Sequence, residues 1–132
     1  KEEDDGRVAI ERKEGGLLIT LKSYGFFEQG SDLLHPNAFN ILEKVSSELR
    51  RIPNDIRVEG HTDNVPMNST RFPTNWDLSS ARSVAVLKGL VLNGISPKRL
   101  SVAGYAEFRP VDSNRNAKGR AKNRRVEIVI KN

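Results

Sequence analysis

The chain has 132 residues, with 22 lysines and arginines against 17 aspartates and glutamates, a formal charge of +5 with both histidines neutral. Its length sets the expectation at one domain, and 36% apolar residues suffice for one ordinary core without disulfides or a structural metal. With no cysteine, disulfide scaffolds, thiolate zinc sites and cysteine nucleophiles are excluded; the longest apolar run, Val84 to Leu87, is far too short to cross a bilayer.

The elements follow in chain order. Lys1 to Gly6 is acidic and aperiodic and reads as a linker end. Val8 and Ile10, then Leu17, Ile19 and Leu21, alternate across Gly15-Gly16 as two strands joined by a tight turn. Pro36 suits the first turn of a helix, and Phe39, Leu42, Val45, Leu49 and Ile52 mark its apolar stripe before Pro53. Ile56 and Val58 alternate with Arg57 and Glu59 in a strand closed by Gly60. Val65 to Asn75, with Pro66 and Pro73, is a loop. A second helix carries Leu78, Ala81, Val84, Ala85, Leu87 and Val91 on one face and stops at Asn93-Gly94. Leu100 and Val102 start a strand that runs to Tyr105, and Val126, Ile128 and Ile130 form the last one. Strands alternating with helices, followed by two late strands, predict an α+β two-layer sandwich with two main helices on one mixed sheet.

Three stretches carry chemistry. Val58 to Asn64 ends a strand, where sheets with crossover helices place binding loops; the same residues also suit an Asx-type turn. His61 and Asp63 make an incomplete metal set, since His35 is the other histidine and cysteine is absent. Ser79 or Ser80 with His61 and Asp63, or Asp63 with Glu107, would be the catalytic groupings, yet no nucleophile elbow or phosphate loop accompanies them. The sequence therefore predicts no catalytic residues, no metal and no cofactor.

In Asn75 to Arg82, Asn75 or Asp77 can cap the helix while Leu78 and Ala81 face inward. Arg82 lies within the first two turns and opposes the positive end of the helix dipole, a conflict that an anion beside it would resolve. The run Arg115, Lys118, Arg120, Lys122, Arg124, Arg125 could neutralise nucleic-acid phosphates. It contains no aromatic to stack on bases, and no nucleic-acid-binding motif is present, so a solvated basic face is the simpler reading.

The residues Val58-Glu59-Gly60-His61-Thr62-Asp63-Asn64, Asn75-Trp76-Asp77-Leu78-Ser79 with Ala81-Arg82, Gly94-Ile95, Arg99-Leu100-Ser101, Gly104-Tyr105, Asn114, Gly119-Arg120-Ala121 and Asn123 to Ile128 resemble the OmpA-like peptidoglycan-binding domain. The match covers nearly everything after Leu17, dividing the chain into a linker with a first short strand (1–16) and the OmpA-like domain (17–132). Within that superfamily, His61 to Pro66, the long loop after them and Asn75 to Ser79 are most similar to the outer domain of flagellar stator B subunits of the MotB type.

The resemblance implies non-covalent binding of the diaminopimelate-containing peptide stem of peptidoglycan. Such a stem end carries an ammonium and a carboxylate, so Asp63 would take the first and Arg82 would fork onto the second, helped by backbone N–H groups at the start of the second helix. Thr62, Asn75 and Leu78 would shape the pocket and Arg124 lie beside it. Ala106 stands where the family often has glycine after Gly104-Tyr105. The family further implies a homodimer, a stator A subunit as partner, an extracytoplasmic location and a transmembrane helix upstream of Lys1. A generic OmpA-like envelope tether is the alternative, and a basic nucleic-acid-binding module a distant one.

Overall fold

The computed structural model describes residues 6–132; the linker reading of residues 1–5 lies outside them. Strands β1 (Val8–Lys13) and β2 (Gly16–Lys22) form the expected hairpin. Val8 stands opposite Leu21 and Lys13 opposite Gly16, and Gly15 takes the left-handed conformation (φ 90°) that the turn requires. Because β2 continues into pairing with the last strand, the first strand is an integral part of the sheet.

Helix α1 spans Ala38–Leu49 and buries Ala38, Leu42, Val45, Ser46 and Leu49. Two features differ from expectation. Pro36 sits in the preceding turn, where the Ala38 N–H donates to the His35 carbonyl. Phe39 is 49% exposed, because it stands a helical step of about 100° away from the Ala38–Leu42 stripe.

Strand β3 (Ile56–His61), helix α2 (Asn75–Leu92) and strand β4 (Leu100–Gly104) follow, with β3 and β4 parallel and joined across α2. A short helix α3 (Ala117–Asn123) then leads into strand β5 (Arg125–Lys131). The sheet order is β1-β2-β5-β3-β4, and β5 runs antiparallel to both β2 and β3. The result is the expected α+β arrangement, with α3 added to the two main helices. That third helix escapes periodicity because its seven residues, AKGRAKN, contain no large apolar side chain. Among the described residues, no helix is long and apolar enough to cross a membrane.

The core lies between the helices and one sheet face, where Leu21, Leu42, Ile56, Val58, Val86, Leu90, Val126 and Ile128 are at most 1% exposed. The buried side of α2 is not the expected stripe. It consists of Asn75, Leu78, Ser79, Arg82, Ser83, Val86, Gly89 and Leu90, while Val84 faces solvent.

Small residues explain the difference. A Cβ on Gly60 would collide with the Ser79 carbonyl oxygen, and one on Gly104 with the Ser80 hydroxyl. The helix thus rests nearly backbone to backbone on β3 and β4. Serines can line such a contact because their hydroxyls find backbone partners: Ser83 donates to the Ala103 carbonyl (2.8 Å), and Ser79 accepts from the Ala106 N–H (3.0 Å).

The basic run is partly engaged within the domain. Arg125 is 3% exposed and donates to Glu127 and to the carbonyls of Asn123 and Arg109. Arg120 donates to the Asn114 carbonyl, and Lys122 pairs with Asp112. The expected solvated basic face holds for Arg115, Lys118 and Lys122, which are exposed, while Arg125 is buried and Arg120 and Arg124 are partly so.

Candidate binding site beside the end of strand β3

Strand β3 delivers Thr62 and Asp63 to the C-terminal end of the parallel pair, the usual position for a binding loop in such sheets. Thr62 is buried. Its N–H donates to the Ala106 carbonyl (2.9 Å) and its hydroxyl to the Asp63 carbonyl (2.8 Å), so it holds the turn in place. Ala106 meets it in the left-handed region (φ 54°), a conformation that glycine adopts more readily.

The Asp63 side chain is 9% exposed. Oδ1 accepts the Val65 N–H (3.0 Å), as in an Asx turn, and Oδ2 accepts Nη1 of Arg124 (2.7 Å). The Asx-type turn that the sequence offered for this stretch is thus present. An ionised carboxylate offers about four acceptor positions, and two of them are used here.

Helix α2 is capped by Thr74, not by Asn75 or Asp77. Thr74 accepts the Asp77 N–H and Asp77 in return accepts the Thr74 N–H, a reciprocal capping box. Asn75 is left free to hold the loop, and its amide donates to the Val65 carbonyl (3.1 Å) and, at 3.5 Å, to that of Asp63. Leu78, on the buried side one turn before Arg82, is 5% exposed.

Arg82 is only 4% exposed. Nε donates to the Ser31 carbonyl (2.7 Å) and Nη2 to that of Glu28 (3.0 Å), and the guanidinium lies 4.8 Å from the Phe27 ring centre. Among the described residues no carboxylate lies within ion-pair distance of it. Two of its five N–H groups are used, leaving the Nη1 edge of the fork. Burial first, and then the Arg124 cation, lower the guanidinium to about 10, against the pull of Asp32 and Asp63.

The conflict around Arg82 is therefore mainly one of desolvation. Arg82 lies seven residues beyond Asn75, about 10 Å along the axis, whereas the dipole effect fades within the first turn.

The segment that cradles Arg82 carries no periodic signal in the sequence. Phe27 and Leu34 form an isolated bridge, and Asp32 accepts both Nη1 and Nη2 of Arg71 (2.7 and 3.0 Å). Arg71 belongs to the long loop, which is tied down by Asp63 and Asn75 at Val65, by Asp32 at Arg71 and by the cap at Thr74. On the outer side, Trp76 stacks on Phe108 at 5.4 Å, flanking a shallow groove lined by Pro66, Met67, Thr74, Asn75 and Glu107. A second cavity, at Asp55, Ile56, Arg57, Ser101, Val129 and Lys131, lies at the other end of β3 and adjoins none of these residues.

This mixed sheet, with its turn after β3 and a buried arginine in α2, defines a class of domain, and comparison with known sequences identifies it: residues 26–124 match the OmpA family, to which the chain belongs. Among curated relatives it is 40% identical over 117 residues to motility protein B of Bacillus subtilis, an alignment covering 87% of this chain and 45% of that protein. The chain spans about half the length of the curated relatives it matches.

Among solved structures, the periplasmic domain of Helicobacter pylori MotB superposes with a TM-score of 0.87 at 30% identity, covering 94% of this chain and 81% of that one. The cell wall anchor of the type VI secretion system from Pseudomonas aeruginosa gives 0.90 at 33% identity, covering 96% and 89%.

Proposed function

We propose that the chain is a non-enzymatic cell-wall anchor that binds the diaminopimelate-containing stem of peptidoglycan as the extracytoplasmic part of a MotB-type flagellar stator subunit. The observation that carries this reading is the state of Arg82: a buried cation held by two carbonyls, with no carboxylate partner among the described residues. A buried charge without a counter-charge is costly, and an incoming carboxylate on the free Nη1 edge would remove that cost. The remaining acceptor positions of Asp63, within electrostatic reach of Arg82, suit the ammonium of the same ligand. The fastenings of Thr62, Asn75 and Arg124 keep the two poles at fixed separation, and Leu78 is buried one helical turn before Arg82.

The similarity to motility protein B supports the motor role. With it come a homodimer, a stator A subunit as partner and an upstream transmembrane helix that tethers the domain outside the cytoplasmic membrane. The likeness to a secretion-system cell wall anchor favours a second reading, a general envelope tether with the same ligand chemistry and no motor. The nucleic-acid reading is weakened because Arg120, Arg124 and Arg125 are engaged by partners within the domain.

Sedimentation with purified diaminopimelate-type sacculi tests the ligand class. The chain is expected to pellet with sacculi and not with duplex DNA, free diaminopimelate should compete, and Asp63→Asn or Arg82→Lys should weaken binding about tenfold or more while circular dichroism stays native. Undiminished pelleting of both variants, or pelleting with DNA alone, would overturn the assignment.

A further inference from the structure

We propose that Glu59, His61 and Glu127 form a binding site for a divalent transition-metal ion of the zinc type on the sheet face turned away from the helices. The alternation of β3 places Glu59 and His61 on that face, since Val58 and Gly60 face the helices. Antiparallel register sets Glu127 of β5 directly opposite Glu59. His61 Nε2 lies 3.6 Å from Glu59 Oε1 and 3.8 Å from Glu127 Oε1, and the three ligand atoms are all within 4.8 Å of one another.

These separations exceed hydrogen-bond reach. The two histidine–carboxylate separations match the spacing of atoms that share an ion: two ligands each about 2.0–2.2 Å from one metal stand roughly 3.3–4 Å apart, and the two carboxylate oxygens, within 4.8 Å, need to close by less than about 1.5 Å. His61 is 3% exposed, and neither ring nitrogen has a hydrogen-bond partner. A neutral imidazole buried this way leaves a donor and an acceptor unmet, which folded proteins rarely tolerate. An ion between Nε2 and the two Oε1 atoms satisfies the acceptor and fixes the ring proton on Nδ1.

The surroundings supply the supports of a ligand set. Arg57 Nε holds Glu59 Oε2 at 2.6 Å, and Arg125 Nε holds Glu127 Oε2 at 2.7 Å, leaving each Oε1 on the histidine side. Partners of this kind orient ligating carboxylates. Tyr105 stacks on the imidazole at 5.2 Å, and Arg109 covers Tyr105 at 4.1 Å, closing one side. Glu127, its side chain 14% exposed, is the least covered of the three ligands, and Arg57 beside Glu59 is 39% exposed; an ion and a fourth ligand, water, would enter from their side.

One imidazole with two carboxylates selects zinc-like ions over magnesium or calcium, which prefer all-oxygen shells. Because both glutamates already face arginines, the affinity is expected in the micromolar range. The ion would pin β3 to β5 two residues before Asp63. Asp63, held by Arg124 and Val65, is not part of this ligand set; the His61–Asp63 set that the sequence left incomplete, and the absence of a metal it predicted, give way in this proposal to His61 with two glutamates.

Titration of the chelator-stripped 132-residue chain with zinc chloride, read by calorimetry and by nitrogen NMR of the imidazoles, tests the site. One ion per chain should bind and shift His61 Nε2 while His35 stays unmoved, and magnesium and calcium should give neither signal. His61→Gln and Glu127→Gln should each weaken binding about tenfold or more, and His35→Ala should leave it unchanged. No zinc-induced shift of His61, or equal affinity in His61→Gln, overturns the proposal. Should a variant fail to fold, the His61 signal of the unaltered chain decides alone.

Discussion

Arg124 Nη1 donates to Asp63 Oδ2 at 2.7 Å, so the carboxylate expected to receive a ligand's ammonium already has a cation beside it. The Arg124 side chain is 40% exposed and that of Asp63 only 9%; solvent screens the arginine's contribution while the aspartate depends on it. Arg124 also repels the Arg82 guanidinium, which offsets part of the gain. Arg124→Ala should therefore cost only about 1 kcal/mol in urea-induced unfolding. A loss above about 3 kcal/mol would mean the pair behaves as a fully buried one.

Ala106 offers a test in which the sign depends on three opposing magnitudes. It is fully buried and sits at φ 54°, which costs a residue with a Cβ about 1–2 kcal/mol. Ala106→Gly removes that strain but gives up a buried methyl worth about 0.8 kcal/mol and adds about 0.5–1 kcal/mol of unfolded-chain entropy. Thermal unfolding should find it within about 1 kcal/mol of the parent, whereas Ala106→Val, branched and overpacked, should lose about 3 kcal/mol or more. Equal stability of the valine variant would show that the turn relaxes freely.

The strands were legible because Val8, Ile19, Leu21, Val58, Val126 and Ile128 are apolar residues at alternate positions, and the apolar alternate residues of β2, β3 and β5 are buried or partly so, whereas in β1 Val8 is buried and Ile10, also expected on the inner face, is 49% exposed. Helix α2 was legible as a helix but not in its orientation. Its contact with the sheet is made by Ser79, Ser80 and Ser83, which a hydrophobicity pattern counts as solvent-facing. Arg82 was marked by its type and place, yet its partners, the carbonyls of Glu28 and Ser31, lie more than fifty residues away and are backbone atoms that any side chain could precede. Likewise, Glu127 meets Glu59 only through strand register, which no local window records.

Asn123 illustrates a structural residue that its position in a charged run conceals. It is fully buried, accepts the N–H groups of Val111 and Asp112, and donates to the Asp112 carbonyl and to Asn114 Oδ1. Asn123→Ala would leave several of these groups unmet, at a cost of about 3 kcal/mol. Amide exchange should accelerate at Val111 and Asp112, in the loop between β4 and α3, before it does in the sheet. Unchanged protection there would show that water replaces the amide fully.

Gly60 tests whether the approach of α2 to the sheet sets the geometry of the site. An added Cβ would strike the Ser79 carbonyl and the Ser83 hydroxyl, and the carbonyl is part of the helix backbone, so α2 itself must move. Overpacking of this kind costs about 1–3 kcal/mol. Ser79 lies one turn from Arg82 and bonds Ala106, which in turn holds Thr62; a shifted helix would alter the separation of Arg82 and Asp63. Gly60→Ala should thus weaken sacculus binding in the fraction that remains folded, although Gly60 touches no ligand group. Gly89→Ala is the control: its Cβ meets only the tip of Leu42, a flexible side chain, and alanine's better helix propensity offsets about 1 kcal/mol. If both alanine variants bind sacculi as the parent does, the close contact of α2 serves packing alone and does not set the distance between the two charged poles.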